Sequence, residues 1–207
     1  MAEFWQVNSM TNDESRHGIS AAERWLKQLR RASGSRGAGD QRIVHAIESR
    51  LGTELDPAVR RHLNLELASE HKALGRYDHS ERVYRHLFNQ LPEEPMPLIL
   101  LAGQKLHHED DPAAAMKTIN QALESAFRSG NFRRMALGVK ARIALAEGRF
   151  RVVEEVLRQL LDLRNDKRGA DVGIERDFFD RLPPGAIDKT LALRYAQYAR
   201  TAGPSRR

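Results

Sequence analysis

The chain has 207 residues, no cysteine and a net charge of +6. The absence of cysteine excludes disulfides, thiolate nucleophiles and cysteine-bound zinc or iron–sulfur centres. Hydrophobic residues make up 41% of the chain and charged residues 30%, and runs rich in Val, Ile and Thr are scarce, so the composition predicts an all-α protein. We expect it to be cytoplasmic and not membrane-bound, because neither a signal-peptide pattern nor a membrane-spanning apolar stretch is present.

The sequence of the N-terminal quarter predicts a disordered N-terminal segment, here called the lead, followed by two helices. Residues 1–18 are polar and predict a disordered lead, and residues 19–55 predict helices separated by a glycine-rich linker. Ser20 and Glu23 have the spacing of a capping box at the start of the first helix. Asp40 can cap the second helix, and Gly52 is expected to end it. The glycine-rich linker is not a phosphate loop, because it contains no Gly-Lys-Ser/Thr element.

Residues 56–164 predict three consecutive helical hairpins. Their helices are expected at 57–74 and 78–90, at 98–107 and 112–127, and at 131–146 and 150–163. Asp56 and Asp111 each precede a proline, a pattern that is typical of a capped helix start. Equivalent starting points at Arg61, Met96 and Arg134 are separated by 35 (96 − 61) and 38 (134 − 96) residues.

The first hairpin has a large–small pair in its first helix, a Gly-x-aromatic turn, a small, an aromatic and an apolar residue in its second helix, and a closing proline. These residues are Leu67, Ala68, Gly75, Tyr77, Ser80, Tyr84, Leu87 and Pro92. The order resembles the tetratricopeptide repeat. The second copy has Asp111-Pro112 in place of the turn, and the third keeps Gly148-Arg149-Phe150 but lacks the proline. The resemblance implies a short right-handed α-solenoid, and a generic array of α-hairpins is the alternative.

Residues 165–207 follow the hairpins and predict a linker, two short helices and a basic tail. Phe178 and Phe179 are expected to anchor the first of these helices, and the last helix is expected at 186–199. A solenoid needs capping elements at both ends. We therefore expect the helices on either side of the hairpins to act as caps.

No arrangement of residues predicts catalysis or a cofactor, so we expect a protein that is not an enzyme. His107 and His108, followed by Glu109, Asp110 and Asp111, form the only cluster that resembles a metal site. Neighbouring residues on a helix point about 100° apart, so the two histidines are badly placed to share an ion. We predict no metal site here and interpret the cluster as a polar helix end. Spaced acidic residues at Glu66 and Glu70 are interpreted as a solvated helix face.

The resemblance also implies a concave groove, formed by the first helix of each hairpin, that holds a segment of a partner protein. The matching positions are Leu65, Ser69, Lys72, Leu101, Gln104, His108, Met135, Val139 and Arg142. Residues 125–146 contain no acid, so one end of this groove is expected to be positive. The function implied is a non-enzymatic adaptor or chaperone-like module whose partner peptide has apolar anchors and an acidic end. Members that grip chaperone C-termini have Lys and Asn where this chain has Leu65 and Ser69, so that activity is not expected.

Two other functions remain open from the sequence. One is nucleic-acid binding through the basic flanks and residues 125–146. Residues 53–163 contain 16 basic and 16 acidic residues, and this neutral balance argues against a basic binding surface. The other is a homodimer that uses Trp5, Trp25, or the face that carries Tyr195 and Tyr198.

Overall fold

The computed structural model describes residues 2–34, 39–163 and 176–202, with side chains for 16–34, 39–163 and 178–197. Every element of regular structure in these residues is a helix. The helices are α1 (Ala2–Ala32), α2 (Gln41–Thr53), α3 (Pro57–Ala73), α4 (Tyr77–Gln90), α5 (Met96–His107), α6 (Pro112–Ser129), α7 (Arg133–Ala146), α8 (Phe150–Asp162), α9 (Arg176–Asp180) and α10 (Lys189–Ala202). None of them has both the length and the apolar character that crossing a membrane requires. The chain divides into two compact units, Met1–Leu87 and Phe88–Arg207.

The first unit is organised around α3, which packs against both α1 and α2. The core between these helices consists of apolar side chains that recur at helical spacing on all three elements. They are Ala22, Leu26, Ile43, Val44, Ile47, Val59, Leu63 and Leu67. Burial of this set from water is the main force that holds the three helices together.

The N-terminal helix is longer than the sequence predicts. It begins at Ala2, where a disordered lead is predicted, and passes through Ser20 without a break. The reason is visible on the side that faces α3. Gly18 lies so close to Val59 that an added Cβ would be 2.8 Å from the Val59 Cγ2 atom, and Ile19 packs against the core. Gly18 and Ile19, which precede Ser20, therefore make tertiary contacts that cannot be predicted from a local capping pattern.

Three predicted aspartate caps are confirmed. Asp40 accepts a hydrogen bond of 2.8 Å from the N–H of Arg42, Asp56 accepts one of 2.7 Å from Ala58, and Asp111 accepts one of 2.8 Å from Ala114. Each bond satisfies a backbone donor that the first turn of a helix leaves without a partner. Gly52, in contrast, does not end α2, which continues to Thr53.

The turns that follow α3 and α7 are built in the same way. Gly75 and Gly148 both have positive φ angles, 73° and 66°. The next residue in each turn donates its N–H back into the helix, from Arg76 to the His71 carbonyl at 2.9 Å and from Arg149 to the Ala144 carbonyl at 2.8 Å. This pattern is a Schellman motif with glycine in the left-handed position. The two glycines are 73 (148 − 75) residues apart, the same separation as Arg61 and Arg134.

The second unit is a row of antiparallel helices. In the described residues α5 packs against α6, α6 against α7 and α7 against α8, and α5 also touches α7. The contacts between these helices contain many fully buried alanines. They are Ala102, Ala115, Ala122, Ala126, Ala136, Ala141 and Ala144. Small side chains at these positions allow close approach of the helix backbones, so neighbouring pairs form the compact body of this unit.

The last helix, α10, packs against α8, beside which the sequence predicts a capping element. Leu191 and Tyr195 of α10 are buried, and α10 packs against α8. The side chain of Asp188 caps α10 by accepting a 2.8 Å bond from Leu191 N–H, while its own N–H donates to Glu154 of α8 at 2.8 Å. The predicted linker at 165–173 and the basic tail lie outside the described residues, as do residues 35–38 of the glycine-rich linker.

Candidate binding site

The nine predicted groove residues divide between the two compact units. Leu65, Ser69 and Lys72 are half-buried positions on α3 in the first unit. The other six belong to the second unit, where α5 and α7 touch each other directly. The candidate site described below is built only from residues of the second unit.

Two of the α5 residues that the sequence places in the groove are buried in the core. Leu101 is 0% exposed and Gln104 is 1% exposed. The assignment of faces on α5 was wrong because α6 and α7 both pack against this helix and bury a wide arc of it. The open side of α5 carries Leu100, Gly103 and His107 instead, which recur at intervals of three and four residues and therefore lie on one face. His108 is exposed, at the C-terminal end of the helix.

On α7 the predicted residues do share one partly exposed strip. Met135, Val139 and Arg142 are all partly exposed, and their spacing of four and three residues places them on one side of the helix. The other sides of α7 are buried against α5, α6 and α8. This strip is therefore the part of α7 that remains available for a partner.

We define the α5–α7 face as Leu100, Gly103 and His107 of α5 with Met135, Val139 and Arg142 of α7. The face is open at its centre, because a Cβ added to Gly103 would meet no atom within 4 Å. Leu100 is 37% exposed. The face combines an apolar middle with a histidine and an arginine at the end where both helices finish.

A cleft with a volume of about 680 Å³ opens at that end of the helices. We call it the terminal cleft. Its apolar lining comes from the helix ends and from the C-terminal cap, and includes Leu106, Leu145, Phe150 and Phe178. Phe178 is itself buried, so the cap forms a fixed wall of the cleft. Arg142 lines the cleft and also belongs to the α5–α7 face, so the two features are continuous.

Among the described residues, the polar side chains that line the terminal cleft are mainly basic. Arg142 and Arg181 contribute two positive charges and Asp110 one negative charge, and His107 lies among them. Asp110 has a positive φ of 51°, a left-handed conformation that aspartate tolerates better than most residues. Sequence patterns do not reveal this site, because Phe178 and Arg181 come from beyond the 164–175 segment and only the tertiary fold brings them to the ends of α5 and α7.

The basic residues of 125–146 do not form one continuous surface. Arg134 is buried. Arg133 donates hydrogen bonds to the carbonyls of Ala126 at 3.3 Å and Phe127 at 3.2 Å, and its guanidinium lies over the Phe127 ring. Arg133 therefore supports the α6–α7 connection, and burial of Arg134 removes one charge from the surface that a nucleic-acid interface would need.

The aromatic residues considered for dimer contacts are used inside the chain where the structure describes them. Tyr195 is 1% exposed, and its ring lies 5.7 Å from that of Phe179. Trp25 packs against the core of the first unit, with the Arg50 guanidinium 4.7 Å from its ring centre. The side chains of Trp5 and Tyr198 lie outside the described residues.

Two of the acidic residues after α5 have structural partners. Glu109 accepts a 2.8 Å hydrogen bond from the Gln104 amide and pairs with Lys105 at 3.4 Å, while Asp111 caps α6. Among the residues with described side chains, no three His, Asp or Glu groups come together as a metal site. The predicted polar helix end with its Asp111 cap is confirmed.

In the first unit the structure shows a buried ionic cluster that sequence reasoning missed. Glu70, interpreted as part of a solvated face, is 0% exposed and accepts a 2.6 Å bond from Gly39 N–H. Arg30 pairs with both Glu70 at 2.7 Å and Glu66 at 2.8 Å. Burial by itself lowers the pKa of Arg30, but the hydrogen bonds and charges of the two glutamates outweigh that effect and raise it. Arg30 is 40 residues from Glu70, so helical spacing could not reveal the cluster.

His71 is also buried in the first unit, between α3 and the start of α4. Its ring centre lies 5.2 Å from that of His79, and its Nδ1 atom has no hydrogen-bond partner among the described residues. Burial lowers the pKa of His71, and the neighbouring charge of His79 lowers it further. His71 therefore serves as a packing residue that is held neutral.

The geometry defines an all-helical protein built from adjacent antiparallel helix pairs, with an open face and a cleft at one edge of its second unit. Compared with known proteins, the chain matches no protein-family model, no curated protein and no solved structure.

Proposed function

We propose that the protein is a non-enzymatic interaction module, an adaptor or chaperone-like protein, that binds a peptide segment of a partner on its α5–α7 face. The observation that carries this proposal is the face itself, with the apolar side chains of Leu100, Met135 and Val139 left partly exposed beside an open glycine. An apolar strip between two helices is a surface on which an extended or helical peptide can bury its anchors. A cytoplasmic location agrees with a chain that contains no cysteine.

We further propose that the three hairpins are degenerate tetratricopeptide repeats. The support is the repeated Schellman turn at Gly75 and Gly148, which has the same hydrogen bonds in both copies. The middle copy makes its turn differently, with Asp111 capping α6 ahead of Pro112. A shared backbone turn at a matching repeat separation supports common repeat ancestry better than shared residue types do.

The test is selection of peptides by the purified protein, followed by affinity measurements with matched variants. Immobilised full-length protein is used to select binders from a random dodecapeptide phage library, and the affinity of each selected peptide is measured by fluorescence anisotropy. Val139→Asp places a charge in the middle of the α5–α7 face. Gln121→Asp, on the exposed side of α6, adds the same charge elsewhere.

We expect Val139→Asp to weaken binding by about tenfold or more, because burial of a carboxylate against an apolar anchor is costly. Gln121→Asp should bind as the wild type does. Equal binding by both variants, with native circular dichroism spectra, would exclude the face as the binding site.

A further inference from the structure

The exposed side of α1 carries a row of basic side chains. Arg24, Lys27 and Arg31 are all exposed, and their spacing of three and four residues places them within an arc of about 60° on one side of the helix. The row extends for about 10 Å along the helix axis. We call these three residues the α1 basic stripe.

The charges of the α1 basic stripe are not neutralised by the part of the chain that the structure describes. Among the described residues, none of the three side chains has an ion pair or a side-chain hydrogen bond. Arg30 on the same helix differs, because Glu66 and Glu70 hold its guanidinium. Glu23 is the only acidic residue of 16–34, and it takes part in none of the described ion pairs. The stripe therefore presents three positive charges to the solvent.

We propose that the α1 basic stripe binds the phosphate backbone of a nucleic-acid duplex, without reading its sequence. This function is additional to the proposed peptide binding and does not depend on the α5–α7 face. Contacts of arginine and lysine with phosphates supply essentially all of non-specific affinity for nucleic acids. A duplex carries about one negative charge per 1.7 Å of its axis, so a straight row of cations about 10 Å long meets phosphates in any register.

The surroundings of the stripe favour a duplex over other anionic partners. The apolar face of α1 is used inside the first unit, where Ala22 and Leu26 are buried and Trp25 and Leu29 pack against the core. On residues 16–34 no apolar side chain larger than alanine is exposed. A helix that binds an anionic membrane needs such side chains to insert, and a protein interface needs an apolar centre, in which lysine is depleted. Single-stranded nucleic acid would also need exposed aromatic rings for its bases to stack on.

The experiment measures binding of the full-length protein to short fluorescein-labelled duplexes of mixed sequence, one of DNA and one of RNA, by fluorescence anisotropy. Titrations are repeated at several NaCl concentrations between about 50 and 200 mM. The stripe variant combines Arg24→Gln, Lys27→Gln and Arg31→Gln. Circular dichroism checks its fold, and Lys27→Gln alone replaces it if the combined variant does not fold.

A matched control variant removes the same number and kinds of charge elsewhere. It replaces one exposed basic residue on each of α6, α8 and α10, and combines Lys117→Gln, Arg151→Gln and Arg194→Gln. Because the net charge of the two variants is equal, a difference between them reports the position of the charges and not their total.

We expect the wild type to bind both duplexes, with an affinity that falls steeply as salt is added. In the stripe variant the slope of log association constant against log salt concentration should be smaller by about 2.7, because each phosphate contact contributes about 0.9. Lys27→Gln alone should reduce this slope by about 0.9. The control variant should keep the wild-type slope, and peptides selected on the α5–α7 face should bind the stripe variant as they bind the wild type.

Three results would overturn the proposal. The first is no binding of either duplex by the wild type at about 50 mM NaCl. The second is an equal change of slope in the stripe and control variants, which would show that only the total charge matters. The third is binding to vesicles of phosphatidylcholine and phosphatidylserine, but to neither duplex, with loss of vesicle binding in the stripe variant. That result would assign the stripe to a membrane surface.

Discussion

The guanidinium of Arg30 and the carboxylate of Glu70 meet at 2.7 Å, joining the last turn of α1 to the last turn of α3. The second carboxylate oxygen of Glu70 accepts the Gly39 N–H just before α2 begins. One buried side chain therefore connects α1, α3 and the backbone that leads into α2. The apolar core holds these helices together, and Glu70 fixes how the chain passes from one helix to the next.

Replacing Glu70 with glutamine should destabilise the first unit. The substitution keeps the size of the side chain but removes the charge that satisfies Arg30, so we expect the free energy of unfolding to fall by about 2–3 kcal/mol. Urea unfolding followed by circular dichroism measures this change. Glu23→Gln, at an exposed position on α1, is the control and should stay within about 0.5 kcal/mol of the wild type. An equal, small effect of both variants would mean that the buried pair contributes no stability.

Replacing either turn glycine with alanine should lower the stability of the protein, whereas the same replacement of a glycine inside a helix should not. Gly75→Ala and Gly148→Ala place a Cβ at positive φ and should each cost about 1 kcal/mol, although neither Cβ would meet another atom within 4 Å. Gly103→Ala has equally open space in the middle of α5 and should be neutral or stabilising, because alanine is the better helix former. Thermal unfolding of the three variants gives the comparison. A loss of stability for Gly103→Ala that matched the turn variants would contradict this account of the turns.

Substitution of two neighbouring leucines on α5 should lower the stability of the protein to very different extents. Leu101 is fully buried and Leu100 is partly exposed, so Leu101→Ala should lower the free energy of unfolding by about 2–5 kcal/mol, whereas Leu100→Ala should cost less than about 1 kcal/mol. Leu100→Ala should instead weaken peptide binding. Denaturant titration and anisotropy on both variants separate the two effects, and similar stability losses would show that the α5 faces are assigned wrongly.

Acid should weaken the packing around His71. Its folded-state pKa is below the ordinary value of 6.5, so the unfolded chain takes up a proton at a higher pH than the folded chain does. Above pH 6.5, His71 therefore does not change the free energy of unfolding. As the pH falls below 6.5, this free energy decreases, and the decrease ends once the pH is below the folded-state pKa of His71. The charges that face the imidazole are those of His79, Glu48, Arg76 and Arg82.

His71→Phe should reduce this acid-dependent loss, because phenylalanine fills the site without titrating. Melting temperatures measured between pH 8 and pH 5 test the point, with His86→Gln as a control at an exposed position on α4. A slope that stayed the same in His71→Phe would assign the acid sensitivity to another group.

The helix boundaries from α2 to α8 follow closely from the sequence, because aspartate caps, prolines and turn glycines act locally. Asp56 and Asp111 begin their helices where the pattern predicts, and Gly75 and Gly148 form the turns that the pattern predicts. Local rules failed at α1, which begins at Ala2 and in which Gly18 and Ile19, before the predicted start, pack against Val59 and the core of the first unit.

The candidate site could be predicted only in part. Met135, Val139 and Arg142 share a partly exposed strip of α7 because their helical spacing places them on one side of the helix, and their role in binding stays a prediction. Leu101 and Gln104 were misplaced because the sequence does not reveal that α5 has two packing neighbours. Arg181 and Phe178 could not be found at all, since their approach to Arg142 depends on how the C-terminal cap folds back on the hairpins.

The most direct test of the central proposal is hydrogen–deuterium exchange of the full-length protein with and without a selected peptide, read by mass spectrometry. We expect slower exchange in α5 and α7, over 96–107 and 133–146. Protection that omitted both α5 and α7, or an exchange pattern unchanged by saturating peptide, would contradict binding on the α5–α7 face.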